Sequence, residues 1–313
     1  MARYFYFMVG AMPNQISTKS WLPSYLAAAV IWGLSFYFIE VLLTAFHPTV
    51  VTLIRLSVGA IILLAISAAM KLKLPFHLWR KLFFTAILMN SMPGFLFAFG
   101  QVYVSSILAS MINAATPLFT LLFVILVFHE QKVTRNQIFG LVIGFLGVMV
   151  LLGVWQGMAS GQLIGVVAIL LAATGYGFSL PYYRKHIIPL NYSPTALMAL
   201  QIAIGAIQMA PFALINLELK ADLSLHIIAS ALMLGGLGSG LAYVVHYRVT
   251  AIAGAAIASS VTYLTPVVAA VAGVFLLQEK LHWYEFAGAV VVIAGIVISQ
   301  RQVRRANARD AVI

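Results

Sequence analysis

The stretch that decides the fold occurs twice in the chain. Ala109 to Gly147 reads ASMINAATPLFTLLFVILVFHEQKVTRNQIFGLVIGFLG, and Ala258 to Gly295 reads ASSVTYLTPVVAAVAGVFLLQEKLHWYEFAGAVVVIAG. Alignment of the two copies places Thr116-Pro117 on Thr265-Pro266. Each copy reads as an apolar helix with Thr-Pro, a short polar turn with one glutamate, and an apolar helix with glycines. These ordered matches indicate an internal duplication.

The composition determines the solvent in which the chain folds. Hydrophobic residues make up 63% of the sequence, charged residues 8%, and the mean hydropathy is +1.04. Apolar runs of about 20 residues span a bilayer, and in hydrocarbon the backbone must satisfy its own hydrogen bonds, so the spans are predicted to be helices. The absence of cysteine excludes disulfides and thiolate metal sites. The fold class is therefore an all-α polytopic membrane protein.

We predict ten transmembrane helices in two five-helix repeats. Their approximate limits are Trp21–Ala45, Pro48–Met70, Leu78–Phe99, Tyr103–Phe128, Asn136–Val154, Gln162–Tyr183, Ser193–Asn216, His226–Val249, Gly254–Leu277 and His282–Gln300. The domains are a tail at 1–20, a first repeat at 21–154, a second at 161–300 and a basic tail at 301–313. The apolar patch from Tyr4 to Met12 is too short to span, and translation starting at Met12 is an alternative to Met1.

The distribution of charge predicts the orientation. Five helices is an odd number, so the second repeat should enter the membrane from the side opposite to the first, as in the inverted repeats of transporters. With the N-terminus in the cytoplasm, fifteen of the eighteen Lys and Arg residues fall on the cytoplasmic side. Both termini are therefore predicted to be cytoplasmic, and the net charge of +11 needs no nucleic-acid partner.

These features carry a resemblance to a known family. Trp32-Gly33, Arg55 in helix 2, and the repeated Thr-Pro helix closed by glutamate are similar to the EamA family of the drug/metabolite transporter superfamily, over about Trp21 to Gln300. The resemblance implies a bacterial inner-membrane exporter that alternates access around a midplane cavity. It implies a small metabolite such as an amino acid or related compound as substrate, or alternatively a drug or toxic compound. It implies no cofactor, and a monomer or homodimer in the lipid bilayer.

Two charged residues at membrane depth are the first candidates for function, because such groups are costly in hydrocarbon. Arg55 is placed about two turns into helix 2, and Glu40 about one turn before the end of helix 1. Members of the family often carry lysine where this chain has Glu40. Either residue could contact substrate or form a gate. Alternatively, the two form an ion pair that anchors the hairpin, or snorkel to the interface, and the matching depths favour the pair.

Breaks at matching places in helices 3 and 8 indicate a second candidate site. Helix 3 contains Asn90-Ser91-Met92-Pro93-Gly94, and helix 8 contains Gly235 to Gly240, with Ser239-Gly240 aligned on Pro93-Gly94. Proline frees a backbone carbonyl, and glycine permits close approach of a ligand or another backbone. We expect Asn90 and Ser91 to line a cavity, whereas close packing of Gly236-xxx-Gly240 on a neighbouring helix explains helix 8 equally well.

Polar and aromatic residues near the predicted midplane complete the candidate binding set. The residues are Trp32, Ser35, Tyr37, Asn113, Tyr176, Ser239, Thr262 and Tyr263. Asn113 aligns with Thr262, and Trp32 aligns with Tyr176. Such residues also serve as interhelical hydrogen-bonding contacts or as interfacial anchors. The two Thr-Pro pairs are expected to shape kinks rather than to bind substrate.

Three further ionisable residues have a functional and a structural interpretation. His246, placed in the last turn of helix 8, could couple transport to protons or could simply face lipid headgroups, which is the favoured interpretation. Glu130 and Glu279 precede helices 5 and 10, and a carboxylate there would favour the dipole of the following helix.

Other classes of protein have little support in the sequence. His129-Glu130 begins the zinc pattern HExxH, but Val133 replaces the second histidine. No serine lies in GxSxG, and no ring of charge or carbonyl filter indicates a channel. No P-loop is present, so any energy source is expected to be the proton gradient rather than ATP.

Overall fold

The computed structural model describes residues 21–128, 135–153, 155 and 160–310. Within these ranges the regular structure is helical. The helices are α1 (Trp21–Leu43), α2 (Pro48–Ala69), α3 (Phe76–Gln101), α4 (Ser106–Asn113 and Thr116–Leu126), α5 (Arg135–Leu151), α6 (Ser160–His186), α7 (Pro194–Leu214), α8 (Leu225–Ala253), α9 (Ala255–Ser259, Ser260–Tyr263 and Thr265–Leu276) and α10 (Trp283–Asp310).

Eight of these described helices are long and apolar enough to cross a membrane. The apolar parts of α5 and α10 are shorter, at Ile138–Leu151 and Trp283–Gly295. Large side chains such as Phe145 and Ile207 are exposed on the outside of the bundle, as expected where the surrounding solvent is lipid. The all-α, multi-pass class is confirmed, while the count of ten spans stays a prediction.

The structure describes most of one predicted tail and none of the other. Helix α10 continues to Asp310, so residues 301–310 of the predicted tail 301–313 are helical. Its sequence RQVRRANARD is rich in good helix formers, which allows the helix to extend beyond the apolar part. The predicted tail 1–20, with both candidate start methionines, lies outside the described residues.

The two repeats are interleaved. Helix α1 of the first repeat packs against α8 and α9 of the second, and α6 of the second packs against α3 and α4 of the first. Likewise α2 contacts α8 while α7 contacts α3, and the pairs α2–α7 and α5–α10 join equivalent helices. Each contact is thus matched by its counterpart with the repeats exchanged. The duplication in the sequence is therefore present in three dimensions as a pseudo-two-fold arrangement.

Both predicted breaks are π-helical stretches. Ile87–Ser91 interrupts α3 and Leu234–Leu241 interrupts α8. Each stretch meets a glycine from the second helix of the other repeat. A Cβ on Gly59 of α2 would lie 2.9 Å from the carbonyl oxygen of Gly235, and a Cβ on Gly205 of α7 would lie 3.2 Å from the Cβ of Asn90. A Cβ on Gly236 would lie 2.9 Å from Ile62 Cδ1, and one on Gly240 would lie 3.8 Å from Gly59 Cα, which favours the packing interpretation of helix 8.

The Thr-Pro pairs end one helical segment and begin another, as the sequence predicts. Helix α4 breaks between Asn113 and Thr116, and α9 passes through a 3₁₀ turn before Thr265. Each proline occupies the first turn of the new segment, where its missing N–H costs no hydrogen bond. The Thr116 hydroxyl donates to Asn113 Oδ1 at 2.9 Å. The break thereby fixes the direction of a side chain at the centre of the bundle.

Glu279 caps a helix in the other repeat. Its carboxylate accepts the backbone N–H groups of Ser106 (2.9 Å) and Ile107 (3.0 Å) at the start of α4. Gln278 adopts a left-handed backbone (φ 57°), and the Glu279 N–H returns to the Gly273 carbonyl, which turns the side chain towards α4. The prediction that Glu279 serves the dipole of its own following helix is wrong. Its counterpart Glu130 lies outside the described residues.

Candidate functional site

A cavity lies at the centre of the bundle, where the two repeats meet. It offers about 600 Å³ of space not filled by atoms, including the part that opens outwards. Helices α1 to α4 of the first repeat and α6, α8 and α9 of the second supply its walls. The lining residues are Trp32, Ser35, Phe36, Ile39, Arg55, Met89, Phe97, Asn113, Thr116, Tyr176, Leu180, His246, Ser259, Val261 and Thr262.

The walls of the cavity follow the internal duplication. Trp32 aligns with Tyr176 in the sequence, and both line the cavity. The same offset aligns Phe36 with Leu180, which also line it. Asn113 and Thr262 form a further matched pair. The cavity is therefore a pseudo-symmetric site. Its two halves differ at the polar groups that have no matched counterpart in the other repeat.

Arg55 supplies the fixed positive charge of the cavity. The residue is 4% exposed, and its Nε donates to Ser239 Oγ in the π-helical stretch of α8 at 2.9 Å. Within the described residues no other hydrogen bond or ion pair engages its guanidinium. The residue that aligns with it in α7 is the neutral Gln201, which does not line the cavity. The charge is thus present on one repeat only, and its remaining donors are available to a ligand.

Glu40 does not neutralise that charge. Its Oε2 instead accepts a hydrogen bond from Gln101 Nε2 of α3 at 3.1 Å. The predicted Glu40–Arg55 ion pair is wrong, because α3 lies next to α1 at this level and offers a neutral amide partner. Gln101 also donates to the Phe36 carbonyl at 2.9 Å, so it joins α3 to α1 directly.

The polar tips of the aromatic walls are tied to protein groups. Trp32 Nε1 donates to the Gly238 carbonyl at 3.0 Å, an acceptor in the π-helical stretch of α8. The hydroxyls of Tyr176 and Tyr243 lie 3.3 Å apart, and Tyr243 donates to the Met89 carbonyl at 2.8 Å. The Tyr176 ring stacks on Phe97 with centroids 5.9 Å apart. What these residues leave for a ligand is mainly apolar and aromatic surface.

His246 is part of the cavity wall and does not face headgroups. Helix α8 continues to Ala253, so His246 lies two turns before its end and is 3% exposed. Its Nε2 donates to the Ala258 carbonyl at 3.0 Å, and its ring lies 4.7 Å from that of Trp32. Its Nδ1 is buried without a partner. The favoured headgroup interpretation is wrong, because the helix extends further than its polar residues suggested.

Asn113 presents a donor to the cavity. Its Oδ1 is taken by the Thr116 hydroxyl, which leaves the Nδ2 donors of the amide. Its counterpart Thr262 donates its hydroxyl to the Ser259 carbonyl at 2.9 Å and offers only oxygen lone pairs. Ser35 likewise donates to the Ile31 carbonyl at 2.8 Å. Thr116, which the sequence assigned to the kink alone, is therefore also a wall residue.

Asn90 and Ser91 do not line the cavity, contrary to prediction. Asn90 Oδ1 accepts from Gln201 Nε2, and the Ser91 hydroxyl donates to Gln208 Oε1 at 2.7 Å. Both side chains therefore face α7. The π-helical stretch shifts the helix register, and Met89 lines the cavity instead.

Three other predicted site residues lie outside the cavity. Near the end of α1, the Tyr37 hydroxyl forms a hydrogen bond with His226 Nε2 of α8 at 3.0 Å. Tyr263 packs beside the hydrophobic cluster that contains Val292. Ser239 is linked to the site by its hydrogen bond with Arg55.

The cavity-lining residues that the sequence did not single out are mostly apolar: Phe36, Ile39, Met89, Phe97, Leu180, Ser259 and Val261. In a chain that is 63% hydrophobic, an apolar wall residue carries no signal of its own.

Comparison with known proteins adds the family. The sequence profile described as the EamA-like transporter family matches residues 19–153 and again 163–300. An "Uncharacterized transporter" of Archaeoglobus fulgidus is 27% identical over 91% of this chain and 99% of its own length. The "Uncharacterized inner membrane transporter YedA" of Escherichia coli K12 is 26% identical over 87% of this chain and 88% of its own.

Two further matches bear on function and fold. A "Probable amino-acid metabolite efflux pump" of Salmonella typhimurium is 27% identical over 88% of this chain and 92% of its own length. A solved crystal structure superposes with a TM-score of 0.66 at 16% identity, and covers 91% of this chain and 99% of that one, which shows the shared fold. With two family matches that together span most of its length, this chain belongs to the EamA-like transporter family and is a multi-pass membrane transporter.

Proposed function

We propose that the chain is an alternating-access carrier that exports a small metabolite, such as an amino acid or a related compound. The observation that carries the proposal is the central cavity between the repeats, with the buried guanidinium of Arg55 as its fixed charge. A buried cation that makes one hydrogen bond retains donors for a carboxylate ligand. The Salmonella relative, whose name specifies amino-acid metabolites, supports the same substrate class.

The interleaved packing supports a movement that alternates access. The cavity walls come from both repeats, and each wall helix of one repeat packs on helices of the other. A rocking of equivalent helices would therefore open the cavity at one end as it closes at the other, as in carriers built from inverted repeats. The glycine contacts of α2 and α7 with the π-helical stretches are the places where backbones approach most closely across the repeats.

Counterflow in proteoliposomes tests the function. Vesicles with the purified full chain and loaded with unlabelled compound should take up the labelled compound faster than unloaded vesicles, with a rate that saturates. The panel comprises amino acids together with their deaminated and N-acetylated derivatives. Protein-free vesicles measure the leak. A flux that rises linearly with concentration would indicate a channel, and no protein-dependent exchange for any compound would refute the proposal.

We also propose an inner-membrane location with both termini in the cytoplasm. The name of the Escherichia coli relative supports the membrane, and the excess of Lys and Arg supports the orientation. Reporter fusions after Ala311 and in the Met70–Leu78 loop should give a cytoplasmic signal. A fusion in the Leu217–Leu225 loop should give an external signal. A periplasmic signal from the fusion after Ala311 would contradict the orientation.

A further inference from the structure

We infer that the cavity selects a monocarboxylate with an apolar body and no free ammonium group. Deaminated or N-acylated relatives of amino acids are such compounds, whereas zwitterionic amino acids are not. The inference rests on the proposed function, because it names the substrate of the same cavity. It follows from three observations: the charge of the cavity walls, the partners of their polar atoms, and the composition of the remaining surface.

The first observation is an imbalance of charge. Arg55 lines the cavity, and none of the fifteen lining residues is Asp or Glu. Glu40 is near in sequence to Ile39, which lines the cavity, but its carboxylate is bound by Gln101 and is not part of the wall. A ligand carboxylate thus has a partner for its charge, and a ligand ammonium has none.

The second observation concerns the hydrogen bonds that the wall can still make. Apart from the guanidinium, the wall keeps the amide donors of Asn113 and neutral acceptor atoms. The acceptors are lone pairs on Ser35 Oγ, Thr116 Oγ1, Tyr176 Oη, His246 Nδ1 and Thr262 Oγ1. An ammonium carries three donors and needs acceptors for all of them on losing water. Dispersed neutral acceptors do not replace that hydration shell.

The third observation is the aromatic surface. Trp32, Phe36, Phe97 and Tyr176 line the cavity, and the polar tips of Trp32 and Tyr176 are engaged by the protein. Their rings could attract an ammonium by a cation–π contact, but that attraction repays only part of the lost hydration. Arg55 would also repel a cation in the same cavity. The aromatic walls therefore suit an apolar body better than a second charge.

A series of phenyl compounds that have similar size and different charge tests the inference. The compounds are 3-phenylpropanoate (anion), phenylalanine (zwitterion), phenethylamine (cation) and 3-phenylpropanamide (neutral). Binding to the purified full chain is measured by titration calorimetry in detergent at pH 7.5. We expect 3-phenylpropanoate to bind at least about 10-fold more tightly than each of the other three. Phenylalanine or phenethylamine binding as tightly as the anion would overturn the inference.

Variants of the charged residue assign the preference to Arg55. Arg55→Gln should bind 3-phenylpropanoate no more tightly than 3-phenylpropanamide, while Arg55→Lys should keep the order with weaker binding. Arg80→Gln, at an exposed arginine outside the cavity, should behave as the unchanged protein. Persistence of the full preference in a folded Arg55→Gln protein would overturn the inference. Should Arg55→Gln fail to fold, the ligand series on the unchanged protein and Arg55→Lys still decide it.

Counterflow of the same compounds separates this inference from the proposed function. Protein-dependent exchange of phenylalanine in preference to 3-phenylpropanoate would leave the carrier function intact and refute only the charge selectivity. Absence of exchange for the series and for the whole metabolite panel would refute both. Exchange driven by 3-phenylpropanoate and other monocarboxylates, but not by their amino counterparts, is the expected result.

Discussion

Replacing Arg55 by glutamine is expected to abolish most transport of carboxylate substrates while the protein remains folded. The guanidinium is the cavity's fixed charge, and its one hydrogen bond runs to Ser239. A hydrogen bond to a charged group contributes about 1.5–3 kcal/mol. Its loss should therefore raise the half-saturation concentration about 10- to 150-fold. The measurement is the initial rate of counterflow against substrate concentration.

The controls for Arg55 separate charge from shape. Arg80→Gln removes an exposed arginine and should leave the half-saturation concentration unchanged. Arg55→Lys keeps the charge but loses the planar donor geometry, so an intermediate value is expected. Thermal unfolding in detergent establishes that each variant is folded. An Arg55→Gln protein with unchanged kinetics would show that the cation does not contact substrate.

Replacing Glu279 by alanine is expected to destabilise the contact between the repeats. The Glu279 carboxylate accepts the N–H groups of Ser106 and Ile107, and the hydroxyl of Ser105 accepts that of Leu108. These acceptors satisfy three of the four N–H groups that a helix start leaves unpaired. Loss of a cap of this kind costs about 1–2 kcal/mol. We expect a melting temperature lower by about 3–6 °C in detergent.

Two further variants test the charge and the specificity of this cap. Glu279→Gln keeps one acceptor oxygen without the charge. Its melting temperature should lie between those of Glu279→Ala and the unchanged protein. Glu218→Gln removes an exposed carboxylate in the α7–α8 loop and should have no effect. Glu279→Ala unfolding at the same temperature as Glu218→Gln would show that the carboxylate does not hold α4. Because the cap joins α9 to α4, its loss should also change the rate of substrate counterflow.

The architecture could be predicted from the sequence because its signals are periodic and repeated. Apolar runs set the helices, and the Thr-Pro pairs set their breaks at Thr116 and Thr265. The partner of Glu279 could not be predicted. A carboxylate before a helix is an ordinary cap for that helix, and only the interleaved packing places the α4 terminus nearer. In α10 the corresponding role falls to Glu285, which accepts the His282 N–H at 2.8 Å.

The candidate site was predictable in its alignment but not in the directions of its side chains. Alignment of the repeats correctly brought Trp32 with Tyr176, and Asn113 with Thr262, to one cavity. Asn90 was misplaced because it lies within a π-helical stretch, whose wider turn directs its side chains differently from those of an α-helix. Sequence gives the position of a residue along a helix, whereas the register at a break depends on what packs against it.

The interleaved packing has a consequence for how such a chain could have arisen. A single repeat would expose the faces of α1 to α4 that α6 to α9 now cover, and its cavity would have walls on one side only. A protein of one repeat would therefore need a second copy of itself to complete the cavity. With both copies in one chain, each can carry its own sequence. The single cation of Arg55, which aligns with the neutral Gln201 of the second copy, is an asymmetry that an identical pair could not have had.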